Sequence, residues 1–317
     1  MMRILAFNKQ SAREFDQRSL EEALNYPSIW IDLVSPSELE LQLIQERFKL
    51  HHLAVEDVVH KGQSPKVDDY TDYLFTVVHS MKFAEEKILI EEVFLFVSDR
   101  WLISIHSDNK RISETFTRMS KMTGPSAQVR GPDFLYYFLF DKIADDYSTV
   151  LNDVEEKIAL LEERVEENPS KEMLHEMDGL RRDLITIRRS IWPTLKLVGD
   201  ILRGIYPLVS DQNMVYFRDI RDHLTQLIEL IEVYHGRVNS VGQLYLASVA
   251  ASTNQVMKIF TVLATIFLPP TLIASIYGMN FAHMPELRWE VGYPISLMLM
   301  FLVSIIPYVY LKKKGVI

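Results

Sequence analysis

The stretch YGMNFAHMPELRWE, Tyr277 to Glu290, separates two apolar runs and decides how the chain is read. It holds a glycine, an asparagine, a histidine and two glutamates, whereas Ile259 to Tyr277 and Val291 to Leu311 carry no charged residue. Each run approaches the ~20 residues that take a helix across ~30 Å of hydrocarbon. A single run of this kind also suits a buried soluble helix. Two of them joined by a short polar loop read as a transmembrane hairpin. Lys258 precedes the first run, Lys312, Lys313 and Lys314 follow the second, and Arg288 is the one Lys or Arg between them. The positive-inside rule then puts both termini in the cytoplasm and the quoted loop outside. Trp289 and Tyr293 at one edge, and Tyr308 and Tyr310 at the other, suit aromatic belts.

Composition narrows the chemistry. The chain has 317 residues, 48% hydrophobic and 24% charged, with a formal net charge of −9 and no cysteine. Disulfides, thiolate catalysis and cysteine-based zinc sites are excluded. MMRILAFNKQSAREF has only a short apolar stretch before Asn8 and no signal-peptide core, so roughly the first 250 residues are expected in the cytoplasm. No Gly-rich phosphate loop and no G-x-S-x-G motif occurs, so an enzyme is not expected. Nor is a nucleic-acid partner.

The first part reads as mixed α/β. IWIDLV, Ile29 to Val34, is a short strand, and Ser35-Pro36-Ser37-Glu38 opens a helix. YLFTVVHSM and VFLFVSD flank the charged patch AEEK as a hairpin, WLISIHS is a further strand, and Asp108 is placed to cap the next helix. Pro132-Asp133 opens a long helix to Glu167, broken by Asn168-Pro169-Ser170. A second helix runs towards Arg203, kinked at Pro193 and ended by Gly204 and Pro207. Asp153 to Glu167 holds seven acids against two bases, either a solvated face or a charge that gathers cations beside a pore.

After Asn213 no proline occurs until Pro269. Ile220, Leu224, Leu227, Ile231, Tyr234, Val238, Val241, Tyr245 and Ser248 recur in alternating steps of four and three, a heptad-like stripe. One helix should therefore run unbroken into the first apolar run. A helix that long needs neighbours, which argues for self-association. A second face reads Gln243, Ala247, Ala250, Asn254, Met257, Thr261, Ala264, Leu268, Thr271, Ser275 and Gly278. Small uncharged residues of this kind suit tight helix packing. They equally suit a pore in which Asn254, Thr261, Thr271 and Ser275 present amides and hydroxyls to water and Met257 and Leu268 form apolar rings. Such a lining binds a hydration shell without stripping it, which fits Mg²⁺. Gly278 can end the helix in the left-handed conformation, freeing carbonyls at the negative end of the dipole beside Asn280. Glu286 and Glu290 add negative charge outside.

At Tyr277-Gly278-Met279-Asn280 the chain resembles the CorA family of magnesium transporters, whose signature is Gly-Met-Asn. Met284-Pro285-Glu286-Leu287 matches the loop motif of its main bacterial and archaeal branch. His52-Leu53-Ala54-Val55-Glu56-Asp57, Pro65-Lys66, Asp68-Asp69-Tyr70, Ile191-Trp192-Pro193 and Tyr216-Phe217-Arg218-Asp219 fit as well, so the resemblance spans nearly the whole chain.

The resemblance implies a homopentameric channel in the cell inner membrane. Its fold is an α+β cytoplasmic domain (an α/β/α funnel) with a long stalk helix and two C-terminal transmembrane helices. The expected divisions are a cytoplasmic α/β domain at 1–130, a helical hairpin at 131–207, and a stalk helix at 208–277 with its membrane part about 257–277. An external loop at 278–290, a second membrane helix at 291–311 and a basic tail at 312–317 follow. The resemblance implies Mg²⁺ influx down its gradient, with hydrated Mg²⁺ bound by Gly278, Met279 and Asn280. Pore-lining positions are Asn254, Met257, Thr261, Ala264, Leu268, Thr271 and Ser275, with the family's apolar constriction falling on Phe260. Gln243 and Ser275 depart from an acid and a glycine found in other members. Lys312, Lys313 and Lys314 form a basic ring. Regulatory Mg²⁺ is implied at Asp219, with Glu85 and Glu86 of a neighbouring copy as its partners. The alternative for Asp219 is a simple pair with Arg218 or Arg221.

Other readings stay open. Co²⁺, Ni²⁺ or Zn²⁺ transport within the same superfamily is the nearer alternative, although the zinc branch tends to carry isoleucine at the place of Met279. A membrane-anchored coiled-coil scaffold is the remote one. His52, Glu56 and His60 share a helix face, but no further ligand completes a tetrahedral set. The lysine asymmetry yields a direct test of topology. A cysteine introduced by Ala282→Cys should react with an impermeant thiol reagent outside intact cells; labelling only after lysis would reverse the orientation.

Overall fold

The computed structural model describes residues 1–8, 11–84, 87–107, 109–121, 131–281 and 284–315. It separates into two compact units, Met1–Glu163 with Lys171–Val241, and Arg164–Ser170 with Gly242–Ile317.

In the first unit the strands are β1 (Met2–Phe7), β2 (Ala12–Phe15), β3 (Ser28–Val34), β4 (Lys66–Asp69), β5 (Leu74–Ala84), β6 (Lys87–Val97) and β7 (Trp101–His106). They form one sheet in the order β2-β1-β3-β7-β6-β5-β4. Only β3 and β7 pair in parallel, with Ile31 opposite Ile103; the other pairings are antiparallel. The short helices α1 (Leu20–Ala23), α2 (Glu38–Phe48) and α3 (His52–Val59) cover one face. Ile4, Ile29, Ile31, Phe75, Phe96 and Ile103 pack there with Ile44 and Ala54. The opposite face meets α4 (Lys110–Ser120) and α5 (Pro132–Glu167). Trp30 stacks edge-on with Phe116 at 5.2 Å, and the Thr76 and Tyr136 hydroxyls are 2.8 Å apart. Burial raises the Tyr136 phenol well above its ordinary value. Helices on both faces of a sheet give the α/β/α layering.

Local chemistry explains the helix starts. Ser37 and Glu40 form a reciprocal capping box at α2, two residues past the Ser35-Pro36 start expected from sequence. Lys49 closes that helix at φ 53°. Asn109 caps α4, its side chain accepting from the Ile112 N–H; Asp108, the expected cap, lies outside the described residues. Helix α6 (Glu172–Leu202) continues through Pro193, although proline offers no N–H to the Arg189 carbonyl. Gly204, at φ 72°, follows its end.

Helix α7 runs from Met214 to Tyr277 as a single helix of 64 residues. Its heptad stripe from Ile220 to Tyr245 is buried, but within the chain itself. Tyr234 donates to Glu155 of α5 at 2.9 Å, and Arg237 donates to Glu162 at 2.8 Å. His223 meets Ser148 at 2.9 Å, and Arg188 of α6 pairs with Glu232 at 2.8 Å. Burial, then the Glu155 carboxylate, pushes the Tyr234 phenol up to about 12. The stripe therefore does not itself argue for self-association. The neighbours it needs are α5 and α6, because three amphipathic helices of one chain can close a common core.

The strands are tied together by a buried polar network that hydropathy does not reveal. Asp32 on β3 accepts from Ser104 Oγ at 2.6 Å and His106 Nε2 at 3.1 Å, and pairs with Arg3. The Asn109 N–H donates to His106 Nδ1 at 3.0 Å, which leaves the imidazole proton on Nε2. Burial alone would raise the Asp32 carboxyl, but the bonds from His106, Ser104 and Arg3 outweigh it and hold it below the usual carboxylate range. Asp32→Ala should cost about 3–5 kcal/mol, because a half-buried guanidinium loses its counter-charge. The full-length protein should melt at a clearly lower temperature; an unchanged midpoint would remove the network from the fold's supports. Because the folded value is depressed, this contribution is present above the unfolded carboxyl's value of about 4 and fades as pH falls through the folded one. The gap between wild type and Asp32→Asn should narrow accordingly in acid.

Candidate functional site

The second unit holds the rest of α7, a loop, and α8 (Gly292–Lys313). Both α7 and α8 are long and apolar enough to cross a membrane. In α7 every residue from Val249 to Thr261 is exposed, stripe and remainder alike, so exposure alone does not single out the stripe.

Hydrogen bonding is more informative. Thr261 Oγ1 donates to Met257 O at 2.8 Å, Thr271 Oγ1 to Phe267 O at 2.6 Å, and Ser275 Oγ to Thr271 O at 2.8 Å. Thr265, off the stripe, does the same to Thr261 O at 2.7 Å. Each hydroxyl proton is thus used within the helix, and what remains for a visitor is oxygen lone pairs. The Thr and Ser hydroxyls of the stripe therefore offer acceptors, while the amides of Gln243 and Asn254 keep N–H donors as well. Pro269 and Pro270 sit inside the helix and supply no N–H to the carbonyls of Thr265 and Ile266.

The helix ends at Tyr277 without a left-handed glycine. The left-handed glycines among the described residues are Gly62, Gly131, Gly204 and Gly315, so Gly278 does not play the expected αL role. Instead Gly278 N–H still bonds Ala274 O at 3.0 Å and Met279 N–H tightens to Ile276 O at 3.2 Å. A shorter-ring last turn ends the helix with no need for positive φ. A Cβ at Gly278 would lie 3.3 Å from Ala274 O, a tight approach. Met279 and Asn280 are exposed, and the Asn280 amide has no partner among the described residues. Met257, Phe260 and Leu268 are exposed apolar side chains, and Asn254, Ala264, Thr271 and Ser275 are exposed too.

Beyond Asn280, Pro285–Arg288 form a 3-10 turn that carries Glu286, exposed, towards α8. Ala282 and His283 lie outside the described residues. Lys312 and Lys313 occupy the last turn of α8, where cations suit the dipole, and Lys314 caps it with its ammonium 5.6 Å from the Tyr310 ring.

In the first unit Asp219 is exposed on α7 and forms no ion pair among the described residues. The simple pairing with Arg221 does not occur, because Arg221 turns to Asp222 at 2.8 Å. Burial, then Asp141 and Asp219, pushes the Tyr137 phenol up to about 12, which places Asp219 in that tyrosine's field. Glu85 and Glu86 lie outside the described residues. His52, Glu56 and His60 are exposed, and no group of three such side chains among the described residues is arranged to hold a metal. The acceptor character of the stripe's hydroxyls, and the bare backbone at Gly292, where a Cβ would lie 2.7 Å from the Glu286 carbonyl oxygen, were missed from sequence. An i−4 Thr/Ser pattern inside an apolar helix was the available signal for the first.

Residues 27–313 match the family model described as CorA-like Mg2+ transporter protein. The cobalt/magnesium transport protein CorA of Thermotoga maritima is 32% identical over 98% of this chain and 91% of its own. The protein of that name from Methanocaldococcus jannaschii is 25% identical over 99% of each chain. The complete structure of the CorA magnesium transporter from Methanocaldococcus jannaschii superposes with a TM-score of 0.86 at 24% identity, covering 100% of this chain and 99% of that one. The chain belongs to the CorA-like Mg²⁺ transporter family, a family of membrane transporters and not of enzymes.

Proposed function

We propose that this chain passes Mg²⁺ inward, down its electrochemical gradient, as a homopentameric channel of the cell inner membrane with one α7 from each copy facing the axis. One observation carries the reading. In a chain of this family, an unbroken α7 continues from a buried heptad face into an uncharged face of acceptor oxygens and ends on Gly278-Met279-Asn280. Mg²⁺ dehydrates reluctantly, and the waters it keeps point their hydrogens outward. Lone pairs at Thr261, Thr271 and Ser275 and the side-chain carbonyls of Asn254 and Asn280 accept from those waters. The C-terminal end of α7 adds negative potential at the mouth. Met257, Phe260 and Leu268 narrow the path with apolar rings that close by dewetting. Both termini are cytoplasmic, Glu286 faces outside, and Lys312, Lys313 and Lys314 ring the inner side. Co²⁺, named together with magnesium for the Thermotoga relative, is a second cargo. The coiled-coil scaffold loses its support, because the heptad face is already covered by α5 and α6.

Asn280→Ala should abolish Mg²⁺ uptake into proteoliposomes while the oligomer still assembles. Normal transport by that variant would make Asn280 a helix-end residue and move selection elsewhere.

Regulation follows from Asp219, a hard oxygen donor left exposed and unpaired in the single chain. Facing a carboxylate of the adjacent copy, it would hold Mg²⁺ between subunits and stabilise the closed ring by differential affinity. Asp219→Lys supplies a fixed cation in its place. Wild type should resist protease with Mg²⁺ and be cut rapidly in chelator, whereas the lysine variant should resist in both. Equal cutting of the two in chelator would take Asp219 out of the sensor.

A further inference from the structure

The turn that carries Glu286 is seated on the first turn of α8 at a point where no side chain fits. A Cβ at Gly292 would lie 2.7 Å from the Glu286 carbonyl oxygen and 3.5 Å from the Trp289 Cβ. The nearer contact is a backbone atom, which cannot swing aside as the end of a flexible side chain does. Gly292 is not among the left-handed glycines, so space rather than backbone freedom requires it. Two bonds close the turn on itself and a third ties it to the start of α8. Leu287 N–H reaches Met284 O at 3.3 Å, Trp289 N–H reaches the same Glu286 O at 3.3 Å, and Gly292 N–H reaches Trp289 O at 3.1 Å.

We propose that Gly292 is a positioning residue for ion capture: its missing side chain lets the Pro285–Arg288 turn dock on α8 and so fixes where Glu286 stands at the channel mouth. The inference rests on the inward Mg²⁺ transport proposed above. Screening makes position matter. Coulomb attraction falls as the inverse of distance and is screened further over about 8 Å at physiological ionic strength, so lengthening an approach from about 4 to about 7 Å loses more than half of a carboxylate's hold on a passing cation. Successive side chains of a 3-10 turn are also about 120° apart, so a carboxylate moved one residue along the turn points elsewhere. Any side chain at position 292 lifts the turn from its seat.

The test is uptake by the full-length protein in proteoliposomes against Mg²⁺ concentration. Glu286→Gln should raise the half-saturating Mg²⁺ several-fold and leave the maximal rate in place. Gly292→Ala should do the same. In the Glu286→Gln background Gly292→Ala should add nothing, since both remove one effect. The shifts should shrink in high salt. An unchanged half-saturation in Gly292→Ala, a loss confined to maximal rate, or an independent further loss in the double variant would each overturn the proposal. Leu287→Glu supplies an arm that leaves Gly292 intact. It returns the lost charge one residue along the turn, and in the Glu286→Gln background it should not restore capture. If it does, position is immaterial and the proposal fails. These failures leave the transport reading standing as long as wild type takes up Mg²⁺ and Asn280→Ala does not. A wild type without uptake ends both.

Discussion

The burial of one face of α7 against α5 and α6 is the constraint on which the remainder depends. From Phe217 to Val241 the inward positions are almost fully covered. Each such side chain contributes on the order of 1.5–3 kcal/mol when removed from water. Helices in water draw most of their stability from packing of this kind rather than from intrinsic propensity. The same helix runs on to Tyr277 with its side chains largely exposed. Its first half is held by apolar contact within the chain. Its second half is free to meet lipid, other copies or a water-filled path. Because the heptad face is used internally, whatever assembles α7 with other chains must employ its other faces.

What the second half offers is decided by proton bookkeeping. A hydroxyl facing water both donates and accepts, and it discriminates poorly between cations and anions. Once Thr261, Thr271 and Ser275 return their protons to the carbonyl one turn back, they can only accept. An acceptor surface favours the outward hydrogens of a cation's water shell and disfavours an anion's. Charge selectivity can therefore be built without one ionised group between Ile259 and Tyr277.

Much of this was legible in the sequence, and the exceptions have physical causes. IWIDLV and the β5–β6 hairpin were readable because their apolar and β-branched residues face a core on one or both sides. AREF and KVDD were not, since β2 and β4 are the sheet's polar edges, where little side-chain burial is required. Met2 to Phe7 is a nearly fully buried strand that the short apolar stretch before Asn8 did not announce. The period of α7 revealed that a face is buried but not what buries it, because a heptad stripe looks the same against a partner chain and against α5 and α6. At the candidate site, Gly-Met-Asn at the end of an apolar helix was plain. The manner of ending was not: the Met279-to-Ile276 bond that tightens the last turn depends on coordinates and not on residue type. Gly292 was invisible for the same reason, since a glycine required by a neighbour's carbonyl has no local signature.

On the proposed reading, the placement of carboxylates follows from Coulomb's law. Two unit charges 4 Å apart attract by about 4 kcal/mol at an effective dielectric of 20, so a divalent ion beside one carboxylate gains roughly 8 kcal/mol. At about 1.4 kcal/mol per tenfold, that would slow escape by five or six orders of magnitude. A carboxylate inside the narrow path would bind Mg²⁺ rather than pass it. In bulk water the same pair is worth about 2 kcal/mol, enough to gather ions without holding them. The acids follow this division. Glu286 and Glu290 lie past the end of α7 and Asp219 lies well before its apolar run, all exposed. From Ile259 to Tyr277 the helix carries only dipoles, whose attraction falls off faster with distance than that of a charge. A path for a strongly hydrated divalent cation has to be weak throughout, and its full charges have to stay where water screens them.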